Sequence, residues 1–173
     1  MFIDVIVILI SIVNTLVRLL PIALYTGTIV SNLVFDDFRA NLLFIGFLVN
    51  EMLSFAYKFA LKGTDKAECA LLADPSNYYV LPSSITQTVG FFFGFILADV
   101  YFSNEFKSLK FIVLCILLAL TIFSRINVGC ETTMNALIFA CVGTGFGVIY
   151  YYIIKDYYKK NIDEVELDTS FYQ

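Results

Sequence analysis

FIDVIVILISIVNTLVRLLPIALYTGTIVSNLVF, Phe2 to Phe35, is apolar over almost its whole length. At 1.5 Å per residue a straight helix over it would run about 50 Å. A membrane hydrocarbon core is only about 30 Å thick. Pro21 lacks an N–H and clashes with the preceding turn, so the pattern predicts a helix near 2–19, a bend, and a helix near 21–35. The pair reads either as a hairpin or as one kinked, tilted segment, crossing twice or once. The start of the run has no basic cluster and carries Asp4, which fits a retained anchor better than a cleaved signal.

The same character continues through the chain. Of 173 residues, 60% are hydrophobic and only 15% are charged, against about 45–50% and about 25% in an ordinary soluble domain. Apolar runs predict further helices near Ala40–Leu61, 83–102, 108–126 and 131–154, separated by polar turns. These runs do not alternate with period two, so a membrane β-barrel is excluded. The fold class expected is all-α: a polytopic membrane helical bundle of about five to six membrane helices. It forms a single domain over 1–154, followed by a charged cytoplasmic tail over 155–173. The tail reads either as a solvated segment or as a docking element; it holds much of the acidic charge behind the net −4.

Composition narrows the chemistry. Basic residues are not clustered as a nucleic-acid surface requires, so no nucleic-acid partner is expected. The chain has no histidine, the commonest general base near neutral pH and the commonest metal ligand. No metal and no cofactor are expected. Membrane lipids are the obvious partners.

The ends of the helices sort into two faces. If each later segment crosses once, the polar loop GTDKAECALLADPSNYYVLP (63–82) and the Ser124–Glu131 turn share one end of the bundle. Arg39, Lys107, Lys110, Lys155, Lys159 and Lys160 gather at the other. Basic residues favour the cytoplasmic side, so the loop end is expected to be lumenal or extracellular.

Three stretches meet at that end: NEMLSFAYKFALKGTDKA (50–67), LPSSITQ (81–87) and SRINVGCETTMN (124–135). Together they resemble the type 2 phosphatidic acid phosphatase superfamily, and within it the dolichyl-diphosphate phosphatase branch, over about 38–155. Asn50–Glu51 followed by Lys58, the PSS-x-x-Q pattern ending at Gln87, and Ser124–Arg125 with a polar residue six positions on carry the resemblance. It implies a bundle in which a lysine, two arginines and a serine hold phosphate oxygens. One histidine attacks phosphorus, a second protonates the leaving group, and an acid or amide four residues past the nucleophile orients it.

Carried over residue by residue, Lys58 takes the lysine position, or Lys62 in a second register, and neither register supplies the first arginine. Ser83, Ser84 and Arg125 match the phosphate-holding positions. Ile85 stands where the acid histidine belongs, Glu131 where the nucleophile belongs, and Asn135 where the orienting residue belongs. Ile85 cannot give up a proton. A carboxylate can form an acyl phosphate, but Glu131 would be an anion facing an anion with one anchoring cation missing. The site is therefore expected to be vestigial, with no catalytic residue and no enzyme activity. Proline and serine at 82–84 also suit a helix start for purely structural reasons.

The remaining candidates keep two readings each. Lys58, Lys62, Ser83, Ser84 and Arg125 are candidates for holding a lipid phosphate; the favoured reading pairs the cations with Glu131, Asp65 or Glu51, Arg125 with Glu131 above all. Glu51 reads as an acceptor for another helix. The resemblance brings Cys69 and Cys130 to one end, where they are candidates for a disulfide or stand as two thiols. Gly90–Gly94 and Gly143–Gly147 carry the small-residue spacing that lets helices approach closely. The function expected is that of an inactive phosphatase-like membrane protein serving as an accessory subunit among other membrane protein subunits. The alternatives are a lipid-phosphate or polyprenyl-diphosphate binder without turnover and, remotely, a phosphatase using Glu131. The endoplasmic reticulum or another endomembrane is the expected location, a mitochondrial or viral membrane the alternative.

Overall fold

The structure, a computed structural model, describes residues 2–35, 38–61, 72–73, 80–81, 85–102 and 108–170, with side chains over 6–35, 39–57, 85–102 and 108–156. The elements in order are α1 (Phe2–Phe35), α2 (Phe38–Leu61), β1 (Leu72–Ala73), β2 (Val80–Leu81), α3 (Ile85–Phe102), α4 (Ser108–Asn127) and α5 (Thr133–Ser170). The two short strands pair antiparallel, Leu72 opposite Leu81. Apart from them the described fold is all-helical, and five of its helices are long and apolar enough to cross a membrane.

The hairpin alternative for 2–35 does not hold. α1 is one helix with Pro21 inside it. The Pro21 side chain is fully buried, so its ring is absorbed by packing. Within a bundle of apolar helices, neighbouring helices make such an interruption tolerable. The tail also differs from a separate segment: α5 runs unbroken past 155 to Ser170.

α3 is the central helix. It buries ten of its 18 residues, whereas α4 buries only Thr121 and Ser124. It packs in parallel on α5 along a seam of glycines. Gly143 lies over the Gln87 carbonyl and Gly147 over that of Phe91, a constant offset that only parallel helices give. From the other side, a Cβ at Gly90 would stand 2.7 Å from the Ala140 carbonyl oxygen, and one at Gly94 would overlap the Thr144 carbonyl. The small-residue spacing thus serves internal packing.

Beside this seam α2 contributes Leu43 and Phe47, and α5 contributes Tyr151, to a core around Phe91 and Phe95. Phe47 meets Tyr25 edge-on at 5.1 Å and Phe91 at 5.5 Å between ring centroids. The outer faces carry exposed apolar side chains, such as Leu33, Met52 and Leu109. A hydrocarbon solvent accepts such a surface; water does not.

Candidate functional site

The site begins with a turn. α4 ends at Asn127, and the Arg125 carbonyl accepts from the N–H groups of both Cys130 and Glu131, at 3.1 and 3.3 Å. Gly129 takes φ +74° to close this turn, a left-handed conformation that glycine adopts without a Cβ penalty. Thr132 then caps α5, its Oγ1 accepting from Asn135 N–H at 3.3 Å. The chain folds back on Arg125, and Glu131 is delivered to it.

Arg125 Nε and Glu131 Oε1 lie 3.4 Å apart, their side chains 12% and 9% exposed. The second oxygen, Oε2, accepts from the Thr86 hydroxyl at 2.7 Å. Both carboxylate oxygens are thus engaged, one by α4 and one by the first turn of α3.

Ile85, next to Thr86, is 1% exposed. It packs with Val17 and Val89, beside Leu117 and Leu118. The position that the resemblance gives to an acid is therefore an apolar junction of α1, α3 and α4. Asn135 is exposed, and its backbone N–H is the group that Thr132 caps.

A second polar cluster lies deeper. Glu51 Oε1 accepts from Tyr25 Oη at 2.9 Å and from Thr88 Oγ1 at 3.1 Å. Gln87 Nε2 donates to Asn50 Oδ1 at 3.0 Å. Asn50 and Gln87 are fully buried. Glu51 is thus the interhelical acceptor, holding α2 to both α1 and α3. At the opposite end, Asp99 accepts from Tyr151 Oη at 3.0 Å and stands 3.9 Å from Arg39.

A further group escaped the sequence reading. Between the first half of α1 and the end of α4 lies a cavity of about 350 Å³, lined by Ser11, Asn14, Thr15, Arg18, Ser124 and Arg125 among others. Ser124 Oγ donates to Asn14 Oδ1 at 2.7 Å. The signal was present: 11, 14, 15 and 18 fall at i, i+3, i+4 and i+7, one face of a helix, inside an otherwise apolar run.

The side chains of Lys58, Lys62, Ser83, Ser84 and Cys69 lie outside the described residues. Cys130 is disulfide-bonded, while Cys115 and Cys141 are free. Among the described residues no group of three or more His, Cys, Asp or Glu side chains could hold a metal ion. Comparison of the chain with family models, with curated proteins and with solved structures finds no match.

Proposed function

We propose that this chain is a catalytically inactive, phosphatase-like membrane protein that works as a structural subunit of a membrane assembly. The observation that carries this reading is the engagement of Glu131 by Arg125 and Thr86. A phosphatase of the type resembled keeps its cations open for phosphate and a nucleophile aimed at the same space. Here an internal carboxylate stands beside the arginine that matches the phosphate-holding one, and an isoleucine fills the acid's place. General acid catalysis is typically worth about 10²–10⁴-fold, and the chain has no histidine to supply it.

The assembly role is supported by the broad apolar outer faces, since the glycine seam is used up inside the chain. The loop end faces the lumen of an endomembrane on this reading. The disulfide at Cys130 favours an oxidising compartment at that end. Since Cys115 and Cys141 are free, Cys69 is the proposed partner within the chain.

The test is purification of the full-length chain from its own membrane in mild detergent, followed by mass spectrometry and a phosphate-release assay on lipid phosphates. Defined membrane proteins at fixed stoichiometry, with no release, are expected. A chain that runs alone overturns the subunit reading. Release that is lost in Glu131→Gln would replace it with a carboxylate-dependent phosphatase. A lipid-phosphate binder built on Lys58, Ser84 and Arg125 is the weaker reading, because Arg125 is already closed onto Glu131.

A further inference from the structure

The face that α5 turns to α3 does not stop where α3 stops. Gly147 lies over the Phe91 carbonyl, Tyr151 meets Phe95 edge-on at 5.3 Å, and Ile154 packs against the same core. The spacing continues outward through Tyr158, Ile162, Val165 and Thr169, at i, i+4, i+7 and i+11, so these positions fall on that same side of the helix. The positions between them, from Lys159 to Asp168, are charged or carry an amide, Leu167 apart. This is the pattern of an amphipathic helix.

α3 does not reach this stripe. The two helices run parallel at an offset of 56 residues, Gly143 over Gln87 and Gly147 over Phe91, so Phe102, the last residue of α3, is level with Tyr158. The contact is firm up to there: Phe102 stacks on Tyr151 at 5.9 Å, and Lys155 Nζ stands 4.8 Å from the Phe102 ring centroid. The helix then continues to Ser170, roughly 18 Å further at 1.5 Å per residue. α4 begins lower down, since Phe111 faces Phe93. α2 begins near the level of Ile154, since the Leu42 carbonyl accepts from Tyr150, and α1 ends beside it. Among the described residues no other helix rises to the level of Val165. Val165 and Thr169 also stand well past Asp156, where the apolar span ends, so acyl chains do not cover them.

Charge selects the occupant. Between Asn161 and Ser170 the chain has four acids, Asp163, Glu164, Glu166 and Asp168, and no base. Glu166 and Asp168 fall on either side of the apolar stripe. Helices that pair side by side match their edge charges, and complementary charge sets partner choice. A second copy of this chain brings the same acids to that level and no base. The fit is a helix with an apolar face and basic edges.

We propose that the end of α5 beyond Tyr158 docks a helix of a partner subunit outside the apolar span: an amphipathic helix with Lys or Arg beside its apolar positions. This rests on the reading of the chain as a structural subunit, and adds which surface holds the partner and what chemistry the partner offers.

The test compares the assembly purified in mild detergent with the full-length chain expressed alone. Single cysteines are introduced by Ile162→Cys and Val165→Cys on the stripe and by Lys160→Cys and Asp163→Cys off it. Each is labelled with a bulky water-soluble maleimide, the unsubstituted chain serving as the blank. The stripe positions are expected to label at least about tenfold more slowly in the assembly than in the chain alone, as burial under a helix requires. The off-stripe positions are expected to label alike in both. Adding Glu166→Lys and Asp168→Lys to Val165→Cys is expected to lower its protection roughly tenfold, since like charges then face each other. An intact assembly in which all four positions label alike overturns the docking site and leaves the subunit reading standing. Slow labelling of the stripe in the chain alone also overturns it, because the chain then covers itself. Protection that survives the two lysines overturns the basic partner. A chain that brings no partner through purification removes the subunit reading and this site with it.

Discussion

The Thr86 hydroxyl donates to Glu131 Oε2 at 2.7 Å, joining the first turn of α3 to the turn that precedes α5. The other oxygen of the same carboxylate faces Arg125 at 3.4 Å. One side chain thus ties three helices at one end of the bundle. Because the ion pair is about nine-tenths buried, removing one partner leaves the other charge poorly solvated. Arg125→Gln is expected to destabilise the chain by about 3–5 kcal/mol. The double variant Arg125→Gln/Glu131→Gln should cost less than the two single changes together. Unfolding of the four proteins by denaturing detergent in mixed micelles measures this; additive losses would show that the two groups do not interact.

Putting a histidine where the resemblance places an acid does not restore one. Ile85 is 1% exposed and packed on Val17, so Ile85→His buries a polar ring among apolar side chains. A cost of about 1–3 kcal/mol is expected, with no gain in phosphate release from a lipid phosphate. Thermal unfolding and a phosphate assay on the same sample check both halves.

The glycine seam gives a sharper contrast. At Gly94 a Cβ would meet the Thr144 carbonyl, which is backbone and cannot swing aside; at Gly27 nothing lies within 4 Å. Gly94→Ala is therefore expected to cost about 1–3 kcal/mol or more. Gly27→Ala should be neutral or stabilise by up to about 1 kcal/mol through the helix preference of alanine. Equal behaviour of the two variants would mean that α3 and α5 do not meet along this line.

Tyr25→Phe deletes one of the two hydroxyls that Glu51 accepts from, and Thr88 keeps its own. Hydrogen bonds between membrane helices average about 0.6 kcal/mol, and a loss of that order is expected. Glu51→Leu takes the carboxylate acceptor away from both hydroxyls and should cost more. The order of midpoints in the same detergent titration tests the ranking.

The chain has four cysteines, and Cys115 and Cys141 are free while Cys130 is bonded. Alkylation of the denatured chain is expected to label two thiols before reduction and four after it. Three labelled thiols before reduction would place the Cys130 partner in another molecule.

Much of the helical framework was legible from runs of apolar residues, since a run of about 20 residues is both a helix and a span. The continuity of α1 was not, because what rescues Pro21 is burial by other helices, which no local pattern shows. The pairing of Arg125 with Glu131 was legible only through the resemblance, which places both residues at one site. The acceptor role of Glu51 was visible in kind, as a charge inside a span, but its partners were not. Tyr25 lies 26 residues away, on a helix that reads as plain lipid contact. Arg18 was overlooked for a related reason: in so apolar a run, four polar residues look like noise until their shared face is counted. The length of α5 was hidden by charge, because a charged tail satisfies both a solvated coil and a helix.

That length has a mechanical consequence. α5 is 38 residues long, about 57 Å at 1.5 Å per residue, and its span ends near Asp156. The backbone beyond that point is a stiff arm of about 21 Å to Ser170, continuous with the helix clamped to α3 by the glycines. The arm therefore leaves the bundle without a break in the helix, and the other end of the same rod is the turn where Glu131 meets Thr86.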